Sequence, residues 1–284
     1  MKKALSFISL FILIAVSGTE VAKSQTVPMT GAFKRTDVLQ RKPLPLPAVR
    51  ESDVFWSKKI WRVIDLREKI NQPLYYPITE TDSRLNLISV LLKGIESGQI
   101  TAYDARLDDD FKNPMTFAQV KEACGANEKT KEVTDFNTGE KVQRKVEGEI
   151  RTQEIKQFML KEEWYFDKQN STLNVRIVGI APIREFIREG DATNTVQRQQ
   201  VFWVYYPETR NLLAANEAFN PYNDARNMSY DDVFIKRFFN SYIVKESNNF
   251  NRYINQFLAG KDAMLESKKI EDNIFDFEQN LWEY

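Results

Sequence analysis

The stretch that decides the fold is 164-WYFDKQNSTLNVRIV-178. It opens with an aromatic run, and polar residues typical of a turn follow up to Ser171. Beyond them Leu173, Val175 and Ile177 alternate with polar neighbours, as in a strand with one buried and one solvated face. The stretch therefore predicts two antiparallel strands joined by a short turn.

A further run of aromatic and β-branched residues, 201-VFWVYY-206, follows along the chain. Such residues favour strands. The segment from Pro207 to Asn211 predicts a turn, and a short apolar run at 212–214 comes after it. Together these runs predict a small antiparallel sheet of about three or four strands in the middle of the chain.

The residues before the sheet show helical periodicity. A first helix is expected to begin after Ser52 or Asp53, either of which can cap it, and to end at Pro73. Its apolar positions recur near a 3.6-residue repeat and are Trp56, Ile60, Val63, Ile64 and Ile70. This part of the chain is therefore predicted to start with a long amphipathic helix.

Two further helices are expected before the sheet. One covers 83–98 and carries an apolar stripe, and the other covers 116–124. Thr116 and Gln119 stand at the spacing of a capping box, which satisfies two backbone N–H groups at a helix start. We therefore predict a mainly helical region over 51–125.

Residues 126–150 are polar and charged and hold few large apolar side chains. Asn137-Thr138-Gly139 is typical of a turn. The segment is predicted to be a polar loop, or alternatively a loose hairpin, and it is the expected internal boundary of the chain.

The C-terminal part returns to a helical pattern. Ser229 and Asp232 predict a capped helix whose apolar stripe continues to Tyr242, and a last amphipathic helix is expected over 261–284. The sheet and these helices together occupy 151–284. The predicted fold class is α+β, with a helical N-terminal half, a small antiparallel sheet in the middle and C-terminal helices.

Residues 1–24 have the pattern of a secretory signal peptide. Two lysines precede an apolar stretch that is too short to span a bilayer as a helix. Small residues predict cleavage between Ser24 and Gln25, or an earlier cut after Ser17. An uncleaved membrane anchor or a buried N-terminal helix are the alternatives. Because Cys124 is the only cysteine, no cysteine follows the apolar stretch to carry a lipid.

Residues 25–50 contain 41-RKPLPLP-47, in which proline alternates with leucine. This pattern favours an extended, polyproline-like arm with few internal hydrogen bonds. Leu44 and Leu46 need cover, which a neighbouring subunit could supply. A flexible leader, or an arm packed on its own domain, are the alternatives.

The composition excludes several classes of chemistry. The chain has no histidine, which removes His-based triads and the usual His-containing zinc sites. Neither of the two glycine-rich phosphate-binding patterns occurs. A net charge of zero gives no reason to expect nucleic acid or an anionic membrane as a partner. We predict no cofactor, no catalytic residue and no metal site, and interpret Asp108-Asp109-Asp110 as a solvated turn.

The run 50-RESDVFWSKKIWRVIDLREKINQPLYYP-77 closely resembles the GldN (PorN) family of gliding motility proteins. The segments 91-LLKGIESG-98, 164-WYFDKQ-169 and 176–182 are similar to the same family. The Pro-rich arm fits it too, so the resemblance covers nearly the whole chain after the signal peptide.

That resemblance implies a non-enzymatic periplasmic part of the type IX secretion and gliding machinery of Bacteroidetes. Such a protein assembles into a ring with a GldK (PorK)-like outer-membrane lipoprotein, to which it owes its place at the inner face of the outer membrane. It also meets the periplasmic part of a GldM (PorM)-like protein. The partner-binding residues that we expect are Leu44, Leu46, Trp56 and Trp61.

Two other functions remain open from the residues alone. A periplasmic ligand-binding module would have a deep pocket lined by Trp203 and Tyr205. A carboxylate-based hydrolase would bring two acidic groups together in one cleft. The structural-subunit hypothesis instead predicts exposed apolar surface and assembly into large particles.

Overall fold

The central feature of the fold is an antiparallel sheet of eight strands in the part of the chain described. The computed structural model describes residues 41–81, 84–106, 109–126, 129–134, 141–146, 148, 150–188, 194–220 and 228–281. The strands are β1 Val54–Asp65, β2 Ala102–Asp104, β3 Pro114–Met115, β4 Lys129–Thr134, β5 Lys141–Val146, β6 Ile155–Asp167, β7 Thr172–Ile187, β8 Val196–Gln200, β9 Phe202–Tyr205, β10 Glu217–Ala218, β11 Met228–Ser229 and β12 Tyr242–Glu246. The helices are α1 Gln72–Tyr75, α2 Leu87–Glu96, α3 Phe117–Ala123, α4 Tyr206–Ala214, α5 Tyr230–Ile235 and α6 Lys261–Asn280.

The order of strands in the sheet joins distant parts of the chain. It runs β12-β1-β6-β7-β9-β2-β3. β8 lies outside this path and pairs with residues 183–187 of β7, next to residues 179–180, which pair with β9. The long strand β1 therefore lies between β6 and β12, so that Trp61 is opposite Lys161 on one side and Lys245 on the other. Because cross-strand partners share a face, these three side chains lie on the same side of the sheet.

The two faces of the sheet bury different sets of side chains. One face packs against α2 to α5 and forms the largest core, which includes Ile64, Phe158, Leu160, Ile180, Phe202 and Val204 from the strands. Further along this face, Ile60 packs with Ile270 and Ile274 of α6. The opposite face carries a smaller cluster of Trp61, Val63, Met159, Ala181, Ile183 and Trp203.

The prediction of a helical N-terminal half is wrong. Residues 54–65 form β1, with every residue from Ile60 to Ile64 buried. The apolar positions that suggested a 3.6-residue repeat come from a strand that is covered on both faces, where alternation is lost. The run is instead rich in valine, isoleucine and tryptophan, which favour strands.

The sheet is also larger than the small central sheet predicted. Residues 242–246 form its edge strand β12, where we expected the stripe of a helix to continue, since α5 already ends at Ile235. The predicted turn at 207–211 is wrong too, because Pro207 lies in the first turn of α4, where its missing N–H costs nothing.

Other local predictions are confirmed. β6 and β7 form the predicted strand–turn–strand pair, with Asp167 opposite Thr172. α3 begins at the predicted capping box of Thr116 and Gln119, and α5 begins at that of Ser229 and Asp232. Within 126–150, β4 pairs with β5, which agrees with the hairpin alternative.

The predicted signal peptide and the arm as far as residue 40 lie outside the described residues. Among the residues that are described, no helix has both the length and the apolar character needed to cross a membrane.

Candidate functional site

The described part of the Pro-rich arm, residues 41–50, lies extended along its own domain. Its backbone is held by arginines: Arg210 of α4 donates to the carbonyl oxygen of Leu44 at 2.6 Å, and Arg176 of β7 donates to that of Pro47. Arg41 also pairs with Asp232 of α5 at 3.0 Å. Proline-rich backbone has free carbonyl groups, and these contacts satisfy two of them.

A buried network positions the arginine that holds Leu44. The carboxylate of Asp231 accepts hydrogen bonds from Arg210 Nε at 3.1 Å and from Tyr206 at 2.9 Å. Burial, together with the nearby Asp231 charge, raises the pKa of Tyr206, so its hydroxyl remains a donor. Because Asp231 accepts from both Nε and Nη2 of Arg210, the guanidinium group is held in the orientation in which Nη2 also donates to the carbonyl oxygen of Leu44.

The leucine side chains of the arm point away from this anchoring. Leu44 is 69% exposed and Leu46 is 37% exposed. The domain therefore binds the backbone of the arm and leaves its apolar side chains available. For residues 41–50 these contacts agree with the alternative of an arm packed on its own domain, and they leave two apolar side chains exposed.

The two predicted tryptophans do not join the leucines in one surface. Trp56 stacks on Phe277 of α6, with ring centroids 4.6 Å apart. Trp61, five residues further along β1, faces the other side of the sheet and is buried. Lys161 and Lys245 lie over its ring at 5.6 and 4.2 Å. The structure thus divides the four predicted residues among three places.

Three carboxylates that could be considered for a hydrolase are engaged with basic or capping partners. Glu162, wholly buried, accepts from Arg237 at 2.8 Å and from the indole of Trp164 at 3.0 Å. Asp231 pairs with Arg210, and Asp232 caps α5. In the chain as described, no group of three acidic or cysteine side chains could hold a metal ion.

Cys124 and the central aromatic residues are packed. Burial raises the pKa of the Cys124 thiol to about 12, which keeps it protonated and unreactive. Phe111 lies edge-on to Trp203 and to Tyr205, with centroids 6.1 and 5.6 Å away. Phe111 therefore packs against both residues that the ligand-binding alternative expected to line its pocket, and of these two Trp203 also lines the open depression described below.

The sequence patterns missed the arginines that hold the arm. Arg210 is 166 residues from Leu44 in the chain, and Arg176 is 129 residues from Pro47. A contact at such separation has no local periodicity or spacing from which it could be inferred. The one local signal was the proline pattern, which predicted an extended arm without indicating its support.

Comparison with known proteins identifies the family. A search of curated proteins found no match. The model of the family described as "Gliding motility associated protein GldN" matches residues 49–283. The match covers nearly all of the sheet and helices described above and begins where the arm ends, and it confirms the resemblance first noted at 50–77. The chain therefore belongs to the GldN family of gliding motility associated proteins.

Proposed function

We propose that this protein is a non-enzymatic structural subunit of the type IX secretion and gliding machinery. In this proposal the chain is exported to the periplasm and cleaved near Ser24 and Gln25. It then forms a ring with a GldK (PorK)-like outer-membrane lipoprotein and meets the periplasmic part of a GldM (PorM)-like protein. Membership of the GldN family supports the gliding role.

The observation that carries the assembly part of the proposal is the anchored arm. Its backbone is fixed by Arg210 and Arg176, yet Leu44 and Leu46 remain exposed. A segment that is already ordered loses little conformational entropy on binding. Burying a leucine side chain contributes on the order of 2 kcal/mol. Burial of two leucines at each subunit contact would therefore stabilise a ring appreciably. The arm is therefore the surface that we assign to a neighbouring subunit or to the lipoprotein.

The test is co-purification of a tagged protein from solubilised envelopes, followed by mass spectrometry and size measurement. We expect a stoichiometric lipoprotein partner in particles far larger than one chain of 33.2 kDa. The double variant Leu44→Ser/Leu46→Ser should lose most of the large particles while its melting temperature stays within about 2 °C, because the altered side chains are exposed.

The control is Leu265→Ser on α6, where the leucine is 57% exposed and distant from the arm in sequence. Normal particles from this control combined with their loss from the arm variant would support the proposal. Unchanged particles from the arm variant would remove the arm from the assembly surface. A monomer without partners in the wild type would reject the structural-subunit role as a whole.

A further inference from the structure

Two lysines are buried side by side on the face of the sheet opposite the largest core. Lys161 of β6 and Lys245 of β12 flank Trp61 of β1, and they are only 4% and 5% exposed. Both ammonium groups lie over the Trp61 indole, and Lys245 also lies over the ring of Tyr253 at 5.1 Å. Cation–π contacts of this kind offset only part of the cost of burying an ammonium group.

The two lysines differ in their hydrogen bonds. Lys161 Nζ donates to the backbone oxygen of Asp109 at 2.6 Å and to the Asp110 carboxylate at 3.4 Å. Lys245 Nζ donates to no acceptor among the described residues, and its nearest carboxylate oxygen belongs to Asp109 at 3.8 Å. Burial lowers the pKa of Lys245; the Asp109 charge opposes this shift and the neighbouring Lys161 adds to it. The Lys245 ammonium group, which has three donors, thus makes no hydrogen bond to the described residues and has only the Asp109 carboxylate near it.

An open depression of about 820 Å³ lies over these residues. Of the described residues that line it, five are basic and two are acidic: Lys59, Arg106, Lys161, Arg198, Lys245, Asp109 and Asp110. This local excess of positive charge contrasts with the zero net charge of the whole chain. The half-buried Tyr253 adds aromatic surface, and the lining also includes the almost wholly buried Trp61 and Trp203, two glutamines and two asparagines. The depression therefore offers charge, aromatic contact and amide hydrogen bonding together.

We infer that this depression binds an acidic peptide segment of a partner protein, whose carboxylate pairs with Lys245. An acidic segment of the chain itself already binds Lys161 at this place. Asp109 accepts from Lys161 through its backbone oxygen, and Asp110 accepts through its carboxylate. A second acidic segment beside it would give Lys245 the acceptor that it lacks. The site is separate from the arm, so the inference stands or fails independently of the proposed assembly surface.

The chemistry favours a peptide over a phosphate group. Asp109 Oδ2 is buried and accepts no hydrogen bond among the described residues. It would repel a phosphate dianion more strongly than a single carboxylate, and a peptide can in addition offer it an N–H donor. The side chains of Gln200 and Asn251, which line the depression, suit the alternating donors and acceptors of peptide backbone.

The test is fluorescence anisotropy with a labelled, terminally blocked peptide in which glutamate alternates with glycine. The counterpart peptide carries glutamine at each glutamate position. We expect the glutamate peptide to bind the full-length protein at least about tenfold more tightly, which corresponds to about 1.4 kcal/mol. Lys245→Met keeps the side-chain stem on Trp61 and removes the charge, and it should weaken binding at least about fivefold.

Two further variants separate the site from general effects of charge. Lys93→Met on α2, where the lysine is exposed, should bind as wild type does. Arg198→Gln at the depression keeps the buried lysines and should weaken binding about twofold to threefold, so the site remains testable if Lys245→Met does not fold. Equal affinity for the two peptides, or wild-type binding by Lys245→Met, would overturn the inference. So would tighter binding of inorganic phosphate than of the glutamate peptide.

Discussion

The buried charges of this protein hold together elements that are far apart in the chain. Glu162 on β6 contacts Arg237, which follows α5, and Arg62 on β1 lies 3.5 Å away. Such groups are costly to bury unless they are paired, and the pairing then specifies one arrangement of the elements. The guanidinium groups of Arg62 and Arg237 and the indole of Trp164 surround the Glu162 carboxylate, which gives it a structural role in joining these elements.

Replacing Glu162 tests this role at a single position. We expect Glu162→Gln to lower the free energy of unfolding by about 3 kcal/mol, because the partly buried Arg237 would lose its counter-charge and the buried Arg62 would keep only Glu271. Urea unfolding followed by tryptophan fluorescence measures this change. The matched control is Glu80→Gln, whose exposed pair with Lys93 should contribute less than about 0.5 kcal/mol. Equal effects of the two substitutions would show that Glu162 does not link the elements.

Asp65 at the end of β1 predicts a dependence of stability on pH. Hydrogen bonds from Arg67, at 2.9 and 2.6 Å, lower the pKa of Asp65 from 3.8 to about 2. A carboxyl with a depressed pKa in the folded state stabilises the protein above the pKa of the unfolded chain, and this contribution is lost as the pH falls towards 2. The melting temperature of Asp65→Asn should therefore lie below that of wild type, on the order of 2 °C, at pH 6. The difference should shrink between pH 4 and pH 2.

Calorimetric scans of both proteins at several pH values measure this difference. Glu80→Gln again serves as the control, since its exposed pair should change the melting temperature little at any pH. A difference between wild type and Asp65→Asn that stays constant down to pH 2 would mean that the carboxyl is not held ionised by Arg67.

At the scale of elements, β1 shows why periodicity alone misled. In β7 apolar and polar residues alternate in the sequence at Leu173, Val175 and Ile177, and this alternation identified the strand although Leu173 to Arg176 are all half-buried. The strand β1 is covered by α6 on one face and by the lysine cluster on the other, so Ile60 to Ile64 are all buried. Such a run matches a helical repeat as well as a strand. Its β-branched and aromatic content was the better signal.

Two adjacent residues of the C-terminal helix α6, one buried and one exposed, allow a direct comparison of two substitutions. Ile274 is 6% exposed and packs with Ile60 and Ile243, whereas Phe275 is 56% exposed. We expect Ile274→Ala to lower the free energy of unfolding by about 2–4 kcal/mol, because it leaves a cavity between α6 and the sheet. Phe275→Ala should change it by less than about 0.5 kcal/mol. Denaturant unfolding of the two variants compares them directly, and a larger effect at Phe275 would contradict the packing of α6.

For the whole molecule, the sequence predicted local features and missed the long-range ones. Helix starts such as Thr116 and Ser229, and the strand–turn–strand at 164–178, depend on neighbouring residues and were identified. The pairing of β1 with β12 joins residues about 180 positions apart, and no local pattern encodes it. The same holds for the candidate site, where the arm was visible in the proline pattern but Arg210 was not.

This long-range pairing predicts that the domain cannot form without its C-terminal residues. A chain ending at Asn240 would lack β12 and α6, and it would expose the edge of β1 together with Ile60 and Trp61. Unpaired strand edges next to apolar side chains promote aggregation. We therefore expect a chain of residues 49–240 to be insoluble or to lack cooperative unfolding, as measured by soluble yield and circular dichroism.

A chain that begins at residue 49 and keeps the C-terminal residues is the control, because it loses the arm and retains every strand of the sheet. It should fold, since the contacts of the described arm residues 41–48 with the domain are backbone hydrogen bonds and a surface ion pair, which contribute little to its stability. Adding residues 241–284 as a separate peptide should recover part of the soluble fraction if the missing strand and helix are the cause. A chain of 49–240 that stays monomeric and unfolds cooperatively would show instead that β12 and α6 are an appendage to a domain already complete. In that case the lysine depression, which needs Lys245 of β12, would belong to the appendage and not to the fold itself.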